Sequence, residues 1–243
     1  MRYKVTIAYN GRNYAGFQSQ INALAIQDVI ESVLEKIFSE KIRIVMSSRT
    51  DAGVHAKGQV FHFDSDINKH VGKLKFSMNS LLPDDIHVIE VKQVPDSFHA
   101  RYSVKKKTYE YLINIGEYDV FLNGFAFQCF YKLDVDLMKK GAEKCLGVHD
   151  FTSFNTSSIK EYPNQVRDIK EFRITRKKDL LKITVTSSGF LRNMVRIMVG
   201  TLIDLGRGKK TLQDIDEMLN KPCKTTRRYN ADPNGLYLVK IFY

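Results

Sequence analysis

The apolar residues change period along this chain, and each change marks an element. From Tyr3 to Tyr9 apolar and polar positions alternate, the period of a half-buried strand. Asn10 to Gln20 is rich in Gly and Asn and reads as a loop. Ile26, Val29, Ile30, Val33, Leu34, Ile37 and Phe38 then fall on one face of a helix. Ile42–Met46 and Gln59–Phe63 read as strands on either side of a turn-rich stretch. Leu74–Leu81 reads as a helix stopped near Pro83, and Ile86–Val94 as a further strand. The order is β-α-β-β-α-β, a ferredoxin-like or RRM-like unit.

The second half repeats that plan without repeating its sequence. Lys107–Ile115 alternates as a strand. Asp134 or Asp136 is placed to cap a helix carrying Leu137, Met138, Gly141, Ala142, Cys145 and Leu146. Val166–Thr175 and Leu180–Ser187 read as a hairpin around Lys177-Lys178-Asp179. Phe190–Leu205 is apolar nearly all round and reads as a buried helix, Thr211–Leu219 as a short one, and Leu236–Phe242 as the closing strand. The expectation is an α+β protein of two halves, residues 1–104 and 105–243. They form a mostly antiparallel mixed sheet with helices packed on one face. Asn114–Asn123 and Thr152–Gln165 are polar insertions, either binding loops or disordered.

The most apolar stretch, Met194–Leu205, is interrupted by Arg196 and Asp204, and no apolar run reaches the about 18 residues of a membrane span. The amino terminus runs straight into a strand and reads as no signal peptide. Cys129, Cys145 and Cys223 are far apart with no C-x-x-C spacing, which fits a reducing cytosol and argues against a zinc site. The six histidines show no metal-ligand spacing, and no phosphate-binding glycine motif occurs. No metal and no cofactor are expected.

Charge changes the picture more. Lys plus Arg number 38 against 27 Asp plus Glu, a formal net charge of +11. Such an excess points to a polyanionic partner, nucleic acid first, although Lys-rich proteomes produce it too. Gly206-Arg207-Gly208-Lys209-Lys210, with Lys221, Lys224, Arg227 and Arg228, is a candidate phosphate-contacting cluster. A metabolic enzyme on this fold leaves the charge unexplained.

Within Ser47–Phe63 a single carboxylate, Asp51, sits in a loop between two strands, where rigid flanks can aim it at a ligand. Arg49, two residues earlier, is close enough to hold it ionised, and Gly53 permits a backbone angle that other residues resist. Taken alone, Arg-x-Asp in a turn is more often a surface ion pair worth little. Tyr109 and Tyr111 share one face of their strand, where a tyrosine can stack on a base or simply pack. Arg192 and Arg196, one turn apart in an apolar helix, require an anionic partner if buried. Asp51 and Asp204 are the candidates.

Several segments together closely resemble the tRNA pseudouridine synthase A family. They are Tyr9-Asn10-Gly11 to Tyr14-Ala15-Gly16-Phe17-Gln18, Ser48 to Phe63, Asn79 to Ile86, and Phe98-His99-Ala100-Arg101-Tyr102. Lys107-Thr108-Tyr109-Glu110-Tyr111, Gly147 to Phe154, Gly189-Phe190-Leu191 with Met194-Val195-Arg196, and Gly235-Leu236-Tyr237-Leu238 complete the match in order along the chain. Ser48 stands where the family commonly has Gly, Phe17 where Trp is usual, and Ala15 where His is common. A positive φ at position 48 would strain the serine.

The resemblance implies isomerisation of uridine to pseudouridine in the tRNA anticodon arm, at positions 38, 39 or 40, without metal or cofactor. It makes Asp51 the catalytic carboxylate, with Arg196 pairing with it and Tyr109 stacking on the flipped base and helping to remove its C5 proton. Leu236 becomes an apolar wall, and Arg49 helps lever the base out. With Tyr109 these two, and His55, are the implied substrate-binding residues. A cytoplasmic homodimer is implied as well. The alternatives are a pseudouridine synthase of another RNA and a noncatalytic RNA-binding or RNA-chaperone protein of the same fold.

Overall fold

The computed structural model describes residues 1–243. In chain order the elements are β1 (Arg2–Tyr9), α1 (Ile26–Phe38), β2 (Val45–Met46), β3 (His55–Asp64), α2 (Val71–Leu81), β4 (Ile86–Val94), β5 (Lys106–Asn114), β6 (Phe127–Gln128), α3 (Val135–Lys144), β7 (Gly147–Asp150), β8 (Val166–Lys177), β9 (Leu180–Ser187), α4 (Met194–Gly206), α5 (Leu212–Asn220) and β10 (Leu236–Phe242). The protein is mixed α+β, and most of its strand pairs are antiparallel. The chain divides into two compact units, Met1–Lys105 with Tyr237–Tyr243, and Lys106–Leu236.

In the first unit β1 pairs antiparallel with both β3 and β4. Alternation along β1 does what its sequence pattern requires: Tyr3, Val5, Ile7 and Tyr9 are buried on one face and the residues between them are half-exposed. The α1 face of Ile26, Ile30, Val33, Leu34 and Phe38 joins this core. Its seal is aromatic, with Phe38 edge-on to Phe63 at 5.7 Å and Tyr3 stacked on Phe63 at 5.1 Å. Three strand expectations are corrected here. Ile42–Met46 yields only the two-residue β2, because Ile42 and Ile44 are buried without joining a ladder. The next strand begins at His55 rather than Gln59. The closing strand, read with the second half, runs parallel to β3 of the first unit, with Tyr237 opposite His55 and Leu238 opposite Ala56.

The second unit carries β5, β9, β8 and β7 as an antiparallel run, with β6 added to β5. It departs from a plain β-α-β-β-α-β repeat by β6 and β7, both too short to show a period. Asp134 is the cap of α3, its carboxylate accepting from the Leu137 N–H at 2.9 Å. The apolar helix expected from Phe190 starts at Met194, because Asn193 is left-handed at φ 59°. From there α4 is almost wholly buried. The Thr152–Gln165 insertion is ordered: buried Asn155 donates to Phe151 O at 2.6 Å and to Gln165 Oε1 at 2.8 Å. No helix is long and apolar enough to cross a membrane.

His62 on β3 is 3% exposed, and its Nδ1 accepts from the Ala100 N–H at 3.1 Å. Burial, helped by the nearby Arg2 charge, pushes the imidazole down to about 4. The folded state therefore refuses a proton that the unfolded chain accepts near pH 6.5, so stability falls as pH drops from about 6.5 towards 4. His62→Gln keeps an acceptor for Ala100 and removes the titration. Urea unfolding across that window should show the wild type losing about 2–3 kcal/mol relative to the variant. Parallel profiles would exclude His62 as the source.

Candidate active site

Asp51 lies in the first unit, on the loop between β2 and β3, and is half-buried. Backbone contacts with the Gly- and Asn-rich segment after β1 hold this loop. The Phe17 N–H donates to Thr50 O at 3.2 Å, the Gly53 N–H to Tyr14 O at 3.4 Å, and the Val54 N–H to Asp51 O at 3.2 Å. Buried Tyr9 Oη and Thr50 Oγ1 are 2.8 Å apart. Gly53 has φ +79°, as the turn requires. Gly16 has φ +99°, and a Cβ there would come within 2.6 Å of Thr50 O. At Gly11 a Cβ would meet Val54 O at 2.0 Å. Two glycines thus allow one loop to lie directly on the backbone of the other, one on each side of Asp51.

Ser48 is free of the feared strain, since the non-glycine residues with positive φ are Ser39, Lys178 and Asn193. Its carbonyl accepts from Gln59 Nε2 at 2.6 Å. Phe17 is fully buried, with its ring 6.0 Å from that of Tyr9. Arg49 corrects an expectation: it is exposed and forms no ion pair with Asp51. Arg49 is exposed and Asp51 half-buried, so nearness in sequence did not bring the two charges together. His55 is 1% exposed. Its Nδ1 accepts from the Gly11 N–H at 3.1 Å and its ring stacks on Tyr237 at 4.7 Å. That geometry fixes the amino-terminal loop to the start of β3.

The other candidates lie in the second unit. Tyr109 on β5 is 6% exposed and meets Phe190 edge-on at 5.2 Å. Tyr111, on the same face, is fully buried and donates to Asp232 O at 2.8 Å. Arg196 sits in the first turn of α4, half-buried. Its Nε donates to Ala231 O at 2.7 Å, and its Nη1 lies 3.4 Å from Asn193 Oδ1. Asp204, eight residues on, is about 12 Å further along the helix axis, too far for a direct pair. Arg192 precedes the helix and is exposed, so it needs no buried partner. Leu236 is 4% exposed. Of the basic cluster, Lys224 is turned inward, its Nζ donating to Asn155 Oδ1 at 2.8 Å and Gln165 Oε1 at 3.0 Å.

Sequence reasoning passed over Tyr9, Gly11, Gly16 and Thr50 as parts of the site. Their signal was present, a glycine-rich loop directly after a strand, but it did not say which loop they would meet. A family model described as tRNA pseudouridine synthase matches residues 5–103 and 142–243, which include Asp51, Arg196 and Leu236.

The chain belongs to the tRNA pseudouridine synthase family.

Proteins named tRNA pseudouridine synthase A resemble it from end to end. That of Exiguobacterium sp. is 42% identical over 242 residues, covering 100% of this chain and 98% of that protein. Those of Bacillus licheniformis and Streptococcus mutans are each 41% identical, covering 100% of this chain and 99% of theirs. As a tRNA pseudouridine synthase the chain is an isomerase, converting uridine to pseudouridine in tRNA. The family reading also accounts for the surplus of positive charge, because the substrate is a polyanion.

Proposed function

We propose that this synthase acts on the tRNA anticodon arm, at positions 38, 39 or 40, and that Asp51 is its catalytic carboxylate. The observation that carries the reading is the end-to-end similarity to tRNA pseudouridine synthase A proteins. The reaction breaks the N1–C1′ bond, turns the uracil and forms a C5–C1′ bond. C5 gives up a proton and N1 takes one, so the product is an isomer and no redox partner or hydrolytic water is consumed. A uridine inside a stem is out of reach until it is flipped, at a cost of a few kcal/mol, roughly.

In this reading Arg196 is the ion-pair partner of Asp51, Tyr109 stacks on the flipped base and assists loss of the C5 proton, and Leu236 walls the pocket. Arg49, exposed and unburdened by Asp51, helps to lever the base out. His55 completes the substrate-binding set, anchored by Gly11 and Tyr237 at the start of β3. The two units are read as divergent versions of one ferredoxin-like plan. The working form is a cytoplasmic homodimer.

Pseudouridine mapping on unmodified tRNA transcripts, incubated with the pure protein, tests the reading. New pseudouridine confined to positions 38–40 is the expected result. Product elsewhere in the tRNA, or only in rRNA, would overturn the site assignment. Binding of tRNA without any product would favour an RNA chaperone.

A further inference from the structure

The turn after β4 is held with more care than a connection needs. Arg2 donates from Nε and Nη2 to the Asp64 carboxylate at 2.8 and 2.7 Å, and from Nη1 to the carbonyls of Asp96 and of Phe98, the latter at 2.8 Å. Tyr243 Oη donates to Ala100 O at 2.8 Å, the Ala100 N–H to His62 Nδ1 at 3.1 Å, and the Lys105 N–H to Phe242 O at 2.8 Å. At the tip of this anchored turn Tyr102 is 78% exposed.

Its ring lies on His99, with centroids 4.3 Å apart and planes 31° apart. His99 in turn meets buried His62 at 4.9 Å. The His99 ring is oriented by two backbone donors, because Arg101 N–H and Tyr102 N–H reach its Nδ1 at 3.1 and 3.2 Å. The three rings form a ladder from core to surface, with Tyr102 as its exposed last rung and the Arg101 guanidinium 5.9 Å from that ring's centroid. An exposed aromatic ring held against a neighbouring ring is what a nucleobase stacks on, since part of the cost of ordering it is met before binding.

Charge selects the occupant. From Phe98 to Lys107 the sequence carries Arg101, Lys105, Lys106 and Lys107 and no acidic residue. Of the other exposed aromatics, Tyr118, Phe121, Phe130 and Tyr131 lie in residues 116–131, which carry Glu117 and Asp119 and no Lys or Arg, and Phe76 lies beside Lys73 and Lys75 on α2 but stacks on no neighbouring ring. The Tyr102 setting joins positive charge to a supporting ring, which suits a stacked base beside a phosphate backbone.

We propose that Tyr102 is a stacking platform for a nucleobase of the bound tRNA, unpaired or at the end of a helix, outside the Asp51 loop. It rests on the reading of the chain as a tRNA-binding synthase. The test measures Kd for an unmodified tRNA transcript over a series of salt concentrations, with the full-length protein. Tyr102→Ala should weaken binding about tenfold at every salt concentration, leaving the salt slope unchanged. Tyr102→Phe should bind within about twofold of wild type, and Arg101→Gln should reduce the slope by about one. At saturating tRNA, kcat of Tyr102→Ala should match wild type.

Wild-type affinity in Tyr102→Ala would overturn the platform, and a changed mass by sedimentation in that variant would assign the tyrosine to a protein contact. A lowered salt slope in Tyr102→Ala, or equal losses in the Ala and Phe variants, would overturn it too. If the wild type binds tRNA and forms no pseudouridine, the catalytic reading fails while the Kd ratios still decide on the platform.

Discussion

Asp51→Asn is expected to stop pseudouridine formation while the protein stays folded and still binds tRNA. Asparagine matches aspartate in shape but can neither accept a proton as a base nor attack carbon, so the loss in single-turnover rate should be at least about 10³-fold. The fold should survive because groups other than the Asp51 carboxylate hold the loop: Asp51 contributes its carbonyl to Val54, and Thr50 contributes its hydroxyl to Tyr9 and its carbonyl to Phe17. A half-buried residue outside the core should change stability by less than about 1 kcal/mol. Affinity for tRNA should hold or rise slightly, since a negative charge is removed near phosphates. Asp51→Ala should behave alike, which separates loss of the carboxylate from any new amide contact. Near-normal turnover in either variant would sink the assignment.

How much of this was legible in the sequence depends on the range of the interaction that made each feature. Strand β1 and helix α1 are written in strong local periods, and the structure follows them closely. Strand β7 has four residues and an exposed Val148, so no period could announce it. The start of α4 turned on a left-handed Asn193, a backbone state that asparagine permits but does not signal. Asp51 stood out because it lies in a distinctive string, whereas its clasp did not. Tyr9 and Thr50 are 41 residues apart, and their hydroxyl contact is a product of the tertiary fold. The Arg49 reading failed for the opposite reason, because it inferred a contact from two residues of separation. Arg49 faces solvent while Asp51 is half-buried.

The clasp makes the second large prediction. Gly16→Ala should lower both stability and turnover, and the two losses have separate causes. At φ +99° an alanine is strained whatever its surroundings, and its Cβ would also lie 2.6 Å from Thr50 O and 3.2 Å from the Asp51 carbonyl carbon. Both neighbours are backbone, so no side chain can swing away, and the Asp51 loop itself must shift. Strain and clash together should cost about 2–4 kcal/mol in urea unfolding. A displacement of roughly 1 Å at a reacting group is enough for about a 10²-fold fall in kcat. The KM for tRNA should change little, because the RNA is held mainly by charge spread over the surface. Gly147→Ala is the control. Its φ is +89° and the added Cβ would meet nothing closer than His149 Nε2 at 4.0 Å, an unstrained distance. It should show the backbone strain alone, about 1 kcal/mol or somewhat more, with kcat unchanged. If Gly16→Ala lost stability and kept wild-type kcat, Gly16 would serve only the fold, and the position of Asp51 would be secured by other contacts.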